Sequence, residues 1–185
     1  MVLAAGASSR MPEHKLLLPL DGKPVLLHAV ETAVQAGIGK VVVVLGREAS
    51  TLRSVLKHQP CMLIENPDFK TGMGSSFRMA VDHLQDCSSL IFMLADMPFV
   101  SPETLQLLSE VDAPMASCWY GEVQAPPVKF QQHLFPELRN LQEGAKPLFQ
   151  KHRAQVKLLQ RPERELLDLD TPEDYQRAIS RFSVR

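Results

Sequence analysis

A chain of 185 residues, 45% hydrophobic and 22% charged, has the composition of a folded globular domain rather than a disordered or collagen-like chain. Twenty Lys and Arg against 21 Asp and Glu leave a net charge of −1. That balance excludes a global field for nucleic acid or an anionic membrane surface, so any bound anion must be held by local cations.

Strand and helix signals then alternate to the end of the chain. Val2–Ala5 reads as a short strand that stops at Gly6. Pro24–Ala36 reads as a helix, with Leu26, Leu27, Val30, Ala33 and Val34 on one face and Gly37 placed to close it. Lys40–Leu45 is an apolar, β-branched run, as expected of a parallel strand covered on both faces. Glu48–Leu56 predicts a helix, Met62–Glu65 a strand, Ser75–Leu84 a helix and Leu90–Ala95 a second buried strand. Ser101-Pro102-Glu103 and Thr171-Pro172-Glu173-Asp174 both open helices with a capping hydroxyl and a first-turn proline. Met115–Trp119, Val128–Phe130 and Val156–Leu159 are weaker strands, with a helix at Ala145–His152. Alternating β and α units over residues 1–185 predict one Rossmann-like α/β domain, its open and mostly parallel sheet covered by helices on both faces.

In such sheets ligands bind at the carboxyl ends of strands, near the point where strand order reverses. Three polar clusters follow predicted strands. The first is Gly6-Ala7-Ser8-Ser9-Arg10 with Lys15. Small residues there let backbone N–H groups approach phosphate oxygens, Arg10 offers a planar fork and Lys15 a point charge. A solvated surface turn is the plainer reading, and neither common phosphate-loop spacing is present. The second cluster is Asp96-Met97-Pro98. A carboxylate at a strand end suits Mg²⁺, and equally suits a side chain that satisfies loop N–H groups. The third runs from Asn66 to Arg78, where Gly72, Gly74, Ser75 and Ser76 sit at a helix start with donors for ribose or phosphate oxygens, or simply cap that helix. Near the C-terminus, Asp168 and Asp170 fall on one side of an extended segment because side chains alternate with period two. Capping the next helix is the simpler role for them.

Cys61, Cys87 and Cys118 lie far apart with no C-x-x-C pair, which predicts a reducing compartment, no disulfide framework and small buried thiols. The six histidines lack zinc spacing. The opening apolar run falls short of the ~7–15 residues of a signal peptide, and none reaches the ~18 of a membrane span. A cytoplasmic protein that engages neither membrane nor nucleic acid is expected.

Taken in order, LAAGASSRMPEHKLLLPLDGKPVL, VVVVLG, NPDFKTGMGSSFR, LADMPFV and DLDTPEDY resemble the molybdenum-cofactor nucleotidyltransferases, and within them the cytidylyltransferase branch. The resemblance runs from Val2 to about Tyr175. It implies a Rossmann-like domain that binds Mg²⁺ and CTP and moves CMP to the terminal phosphate of molybdopterin, with release of pyrophosphate and a molybdoenzyme as client. It places Leu3, Ala4, Ala5 and Gly6 to Arg10 around the nucleotide, with Arg10 and Lys15 on the triphosphate and Lys23 as an additional cation. Asp96 matches the principal metal carboxylate, Asp170 the second, with Asp168 beside it. Asn66, Gly72, Gly74, Ser75 and Ser76 match the segment that meets the nucleoside. The family's Gly-Asp-x-Gly-Ala-Arg motif stands here as Leu141-Gln-Glu-Gly144-Ala-Lys146, and Ala125-Pro126-Pro127 replaces a glycine-containing turn. Both departures fall where acceptor recognition is expected. A guanylyltransferase, a transferase for another phosphorylated metabolite, and a non-catalytic nucleotide- or pterin-binding assembly factor are the alternative readings.

Overall fold

The computed structural model describes residues 1–6 and 13–183. Four strands form the parallel half of a sheet: β1 (Val2–Ala4), β4 (Val42–Leu45), β5 (Met62–Glu65) and β6 (Ser89–Leu94). A small hairpin, β2 (Pro19–Leu20) with β3 (Lys23–Pro24), stands apart. The second half adds β7 (Met115–Tyr120), β8 (Val123–Gln131) and β9 (Val156–Arg161), and the full order is β5-β4-β1-β6-β8-β7-β9. Pairings β1–β4, β1–β6, β4–β5 and β7–β9 are parallel, while β8 runs antiparallel to β6 and β7.

Period-two alternation divides the core into two layers. Val2, Ala4, Val43, Leu45 and Met93 face one side, where helices α1 (Val25–Ala36), α2 (Ala49–Val55), α4 (Pro102–Glu110) and α7 (Pro172–Phe182) cover them. Leu3, Val42, Val44, Leu90 and Phe92 face the other, beneath α3 (Met73–His83), α5 (Phe135–Arg139) and α6 (Lys146–Lys151). The three-layer α/β architecture expected from the sequence is present.

Helix boundaries follow local chemistry. Gly37 closes α1 in the left-handed region at φ 66°, its N–H bonded to Val34 O. Ser101 caps α4 through the Thr104 N–H at 3.2 Å. Thr171 and Asp174 form a reciprocal capping box at the start of α7.

Several expectations need correction. α3 begins at Met73 rather than Ser75, and α5 carries too short an apolar pattern to be read from sequence. Ala125-Pro126-Pro127 lies inside β8, where pairing jumps from Ser117–Val128 to Cys118–Ala125. The irregularity takes up prolines that cannot donate to a ladder. Cys118 is buried as expected, but Cys61 and Cys87 are only half-buried. Among the described residues no helix is long and apolar enough to cross a membrane.

Candidate active site

The carboxyl ends of β1 and β6 lie side by side, with Leu3 opposite Leu94. From β1 the chain proceeds outward through β4 to β5, then returns to the other flank of β1 as β6. Strand order therefore reverses here, where a ligand crevice is expected. A chamber of about 520 Å³ opens at this point, lined at its base by Leu3, Ala4, Ala5 and Gly6. Among the described residues, a Cβ on Gly6 would meet no atom within 4 Å at the end of β1. Gly46, after β4, has the opposite role: a Cβ there would come within 2.9 Å of Ala5.

Lys15, Lys70, Asp96, Asp168 and Asp170 are the charged side chains among the described residues that line the chamber. Lys15 begins a 3₁₀ turn and is buried, and its Nζ donates to Asp96 Oδ2 at 2.5 Å and Asp170 Oδ1 at 2.8 Å. Burial alone would lower the Lys15 pKa; the two carboxylates outweigh it and raise it above the usual lysine value. Burial also pushes the Asp96 carboxyl up, against the pull of the Lys15 ammonium, so this carboxylate strongly favours a cation beside it. The C-terminal acids reach the site by docking Leu169, which is fully buried and donates its N–H to Asp96 O at 3.1 Å. Alternation then leaves Asp168 and Asp170 in the chamber lining.

The residues expected near the nucleoside divide into two groups. Gly72 and Ser76 line the chamber; Asn66, Gly74 and Ser75 do not. Asn66 is buried and works as an internal clamp. Its amide donates to Ser75 Oγ at 2.8 Å and Ser76 Oγ at 3.1 Å, and its Oδ1 accepts the Asp68 N–H at 3.0 Å. Ser75 Oγ donates to Gly72 O. Gly74 is required by close packing, since a Cβ there would lie 2.1 Å from Leu141 O, and its N–H is already bonded to Gln142 O. The expectation of free N–H donors along this turn is thus corrected for Gly74 and Ser75: the protein uses those groups itself. Lys23 is paired with Glu31 and lines no part of the chamber. Ala7, Ser8, Ser9 and Arg10 lie outside the described residues.

Met73, within the turn expected to meet the nucleoside, lines the chamber as well, and Leu16, Phe69, Lys70 and Leu94 join it without having been singled out in the sequence. Their types are ordinary in loops and cores, so only their proximity to Gly72 and Asp96 could have suggested them.

Whether a divalent ion fits can be judged from Asp96 itself. Its Oδ1 is buried and has no hydrogen-bond partner among the described residues, leaving a hard oxygen donor in a chamber that Asp168 and Asp170 also line. Among the described residues no three His, Cys, Asp or Glu side chains are gathered closely enough to hold a metal ion by themselves. That donor set fits Mg²⁺, which usually takes one or two carboxylates and completes its shell with substrate phosphates and water.

The chain belongs to the family of the MobA-like NTP transferase domain, a nucleotidyltransferase family whose model matches residues 1–156. It is similar over nearly its whole length to the solved structure of Rv0371c from Mycobacterium tuberculosis H37Rv. The TM-score is 0.84 at 30% identity, covering 97% of this chain and 96% of that one. A second structure of Rv0371c, in complex with manganese, matches at TM-score 0.84 and 29% identity, with the same coverage of 97% and 96%. Nicotine blue oxidoreductase of Paenarthrobacter nicotinovorans is 30% identical over 136 residues, 72% of this chain and 67% of that protein. The bifunctional protein GlmU of Roseobacter denitrificans is 30% identical over 134 residues, and the matched part is 70% of this chain but only 30% of GlmU.

Proposed function

We propose that this chain transfers CMP from CTP to the terminal phosphate of molybdopterin or a close relative, releasing pyrophosphate. The observation that carries this reading is Lys15 held between Asp96 and Asp170 at the switch point, in a chamber lined by Gly6, Gly72 and Ser76.

In that reaction the acceptor phosphate oxygen attacks the α-phosphorus, and the bond from that phosphorus to the bridging oxygen of the β-phosphate breaks. Lys15 exchanges a carboxylate oxygen for triphosphate oxygens, bringing a positive charge to the leaving pyrophosphate. Arg10, by its position in the first loop, adds a second cation. Ser76 offers its hydroxyl to the nucleoside, oriented by the Asn66 amide. Asp96, with Asp170 as the second carboxylate and Asp168 beside them, would hold Mg²⁺ together with substrate phosphates, and the ion when bound neutralises phosphate charge and stabilises the charge that develops at the α-phosphorus. The manganese complex of Rv0371c supports a divalent cation in a relative of this shape.

CTP is preferred to GTP in this reading because Ala5, where the guanylyltransferase branch typically has glycine, places a methyl on the base of the chamber. One methyl is worth only ~1–3 kcal/mol, so other contacts must share the discrimination. Incubating the protein with each nucleoside triphosphate, Mg²⁺ and molybdopterin, then identifying products by mass spectrometry, tests the reading. A CMP adduct with stoichiometric pyrophosphate is expected; a preference for GTP or absence of pyrophosphate overturns it. The similarity to nicotine blue oxidoreductase supports a second reading, an oxidoreductase activity. Oxidation of a reduced nicotinamide without pyrophosphate release would favour that one.

A further inference from the structure

Two lysines line the first chamber, and their surroundings differ. Lys15 is buried, and its ammonium is shared between Asp96 and Asp170. Lys70 is exposed, pairs with no carboxylate among the described residues, and carries its Nζ 5.9 Å from the centre of the Phe69 ring. Phe69 lines the chamber too, so this cation–π contact holds the ammonium over the crevice rather than out in solvent.

The turn that carries Lys70 is fixed on both sides. Asn66 Oδ1 accepts the Asp68 N–H at 3.0 Å, and Asp68 O accepts the Thr71 N–H at 2.9 Å and the Thr71 hydroxyl at 2.8 Å. Phe69 is seated over Gly46, where a Cβ would come within 2.8 Å of the Phe69 Cβ. Strand order sets the placement. Lys70 follows β5 and Asp96 follows β6, with β4 and β1 between, so the two stand on opposite flanks of the crevice. Gly72 and Ser76 continue the segment of Lys70 and share its flank. Beyond Met73 lies a second chamber of about 340 Å³, which shares Leu3, Met73 and Leu94 with the first. Phe77, Phe92, Phe149 and Pro126 give it apolar walls, and the loop against which Gly72 and Gly74 rest carries Ala145 and Lys146 into it. Rings desolvate a phosphate without hydrogen-bonding it, so a triphosphate belongs in the first chamber.

We propose that Lys70 is a catalytic residue of the transfer: its ammonium donates to a non-bridging oxygen of the α-phosphate and meets the negative charge that gathers there as the acceptor oxygen attacks. The proposal rests on the nucleotidyl-transfer reading. In that reading the nucleoside meets the flank of Gly72 and Ser76 and the pyrophosphate meets Lys15. The α-phosphate then lies between them, within the sweep of a flexible lysine stem anchored on the nucleoside flank. Lys15 does not serve both ends, because it neutralises two carboxylates and follows the leaving group. Lys70 keeps its proton throughout. The new bond joins the acceptor oxygen to the α-phosphorus, and the bond to the bridging oxygen breaks with its electron pair leaving on pyrophosphate. An ammonium whose contact strengthens as charge develops lowers the barrier, whereas a solvated lysine that only steers the substrate acts on encounter.

The test is calorimetry with cytidine, CMP and CTP in the presence of Mg²⁺, together with pyrophosphate release from CTP and molybdopterin. Lys70→Met keeps the stem and removes the charge. It should leave cytidine binding and the thermal midpoint unchanged, weaken CMP and CTP by the same factor, roughly tenfold, and lower kcat about 100-fold. Lys70→Arg should recover most of kcat. Three results overturn the proposal. CTP weakened with CMP unchanged would put Lys70 on the β- or γ-phosphate, and cytidine weakened as much as CMP would put it on the nucleoside. A raised KM with wild-type kcat, vanishing at high salt, would mark long-range steering. Wild-type pyrophosphate release with an unaffected Lys70→Met variant overturns the role of Lys70 alone. Wild-type protein that binds no CTP and releases no pyrophosphate overturns the nucleotidyl-transfer reading, and the role of Lys70 with it.

Discussion

The chamber at Asp96 and the chamber at Phe149 share a wall, yet one is held together by charge and the other by ring contacts. In the first, Lys15 neutralises carboxylates that burial would otherwise penalise, and removing one partner of such a pair typically costs ~3–5 kcal/mol. A phosphate can compete for the ammonium, so the contacts in this chamber can exchange when substrate arrives. In the second, the rings pack on one another and on the sheet, and Lys146 is the one charged side chain among the described residues that line it. The difference teaches how one crevice can join two kinds of wall: a polar half whose ion pairs can exchange, and an apolar half fixed by ring packing.

Four changes break or sharpen that contrast. The largest effect should come from Asp96→Asn, which keeps shape but removes the charge that holds Lys15. Turnover measured by pyrophosphate release should fall at least ~100-fold. Asp170→Asn should lose less and Asp168→Asn least, since Lys15 bonds Asp96 and Asp170 but makes no bond to Asp168. Near-normal turnover in Asp96→Asn would remove that residue from the mechanism.

Next comes Gly74→Ala, which attacks the joint between the chambers. Its new Cβ would sit 2.1 Å from a backbone oxygen that no side-chain rotation can move. A loss of about 1–3 kcal/mol in denaturant stability is expected, with CTP binding declining alongside it. Gly6→Ala is the control, since its Cβ meets none of the described residues within 4 Å, and its stability should not change. An unaltered Gly74→Ala would mean that the two chambers are not coupled through this contact.

Lys15→Ala should weaken CTP by roughly tenfold, the scale of one hydrogen bond to a charged group, and weaken CMP much less. Calorimetry with the two nucleotides decides, and an equal loss for both would place Lys15 away from the β- and γ-phosphates.

The smallest effect concerns His14, the neighbour of Lys15. It is buried, with Glu48 and Arg47 as the charged groups that act on it. Burial holds its pKa below the ordinary 6.5, so near that pH the unfolded chain binds a proton that the folded chain refuses. Stability is therefore full above about pH 6.5 and is lost as pH falls from there toward the lower folded value. His28 is shifted in the same direction, also chiefly by burial. His14→Leu should flatten, without abolishing, the fall in thermal midpoint between pH 7 and pH 5. A variant with the wild-type slope would show that His14 takes up its proton in the folded state.

The strand and helix pattern was legible because each buried element carries its own period. Val42 to Leu45 alternate between two covered faces, and Ser101 and Thr171 announce their helices through local hydrogen bonds. Lys15, Asp96, Asp168 and Asp170 could be picked out in the same way, as charged residues at the ends of strands or flanking a buried leucine. Their meeting could not be read off, because Lys15 and Asp170 are 155 positions apart and only the order of the strands brings them together. Tertiary packing also decided the roles of Asn66, Gly74 and Ser75, whose donors are taken up by neighbouring backbone and side chains. The second chamber has no local signature at all. Phe77, Phe92 and Phe149 are ordinary core residues in sequence, and their shared cavity exists only where α3, β6 and α6 meet on one face of the sheet. Periodicity and caps act over a few residues and are written locally, whereas a cavity depends on which distant surfaces fail to fill the space between them.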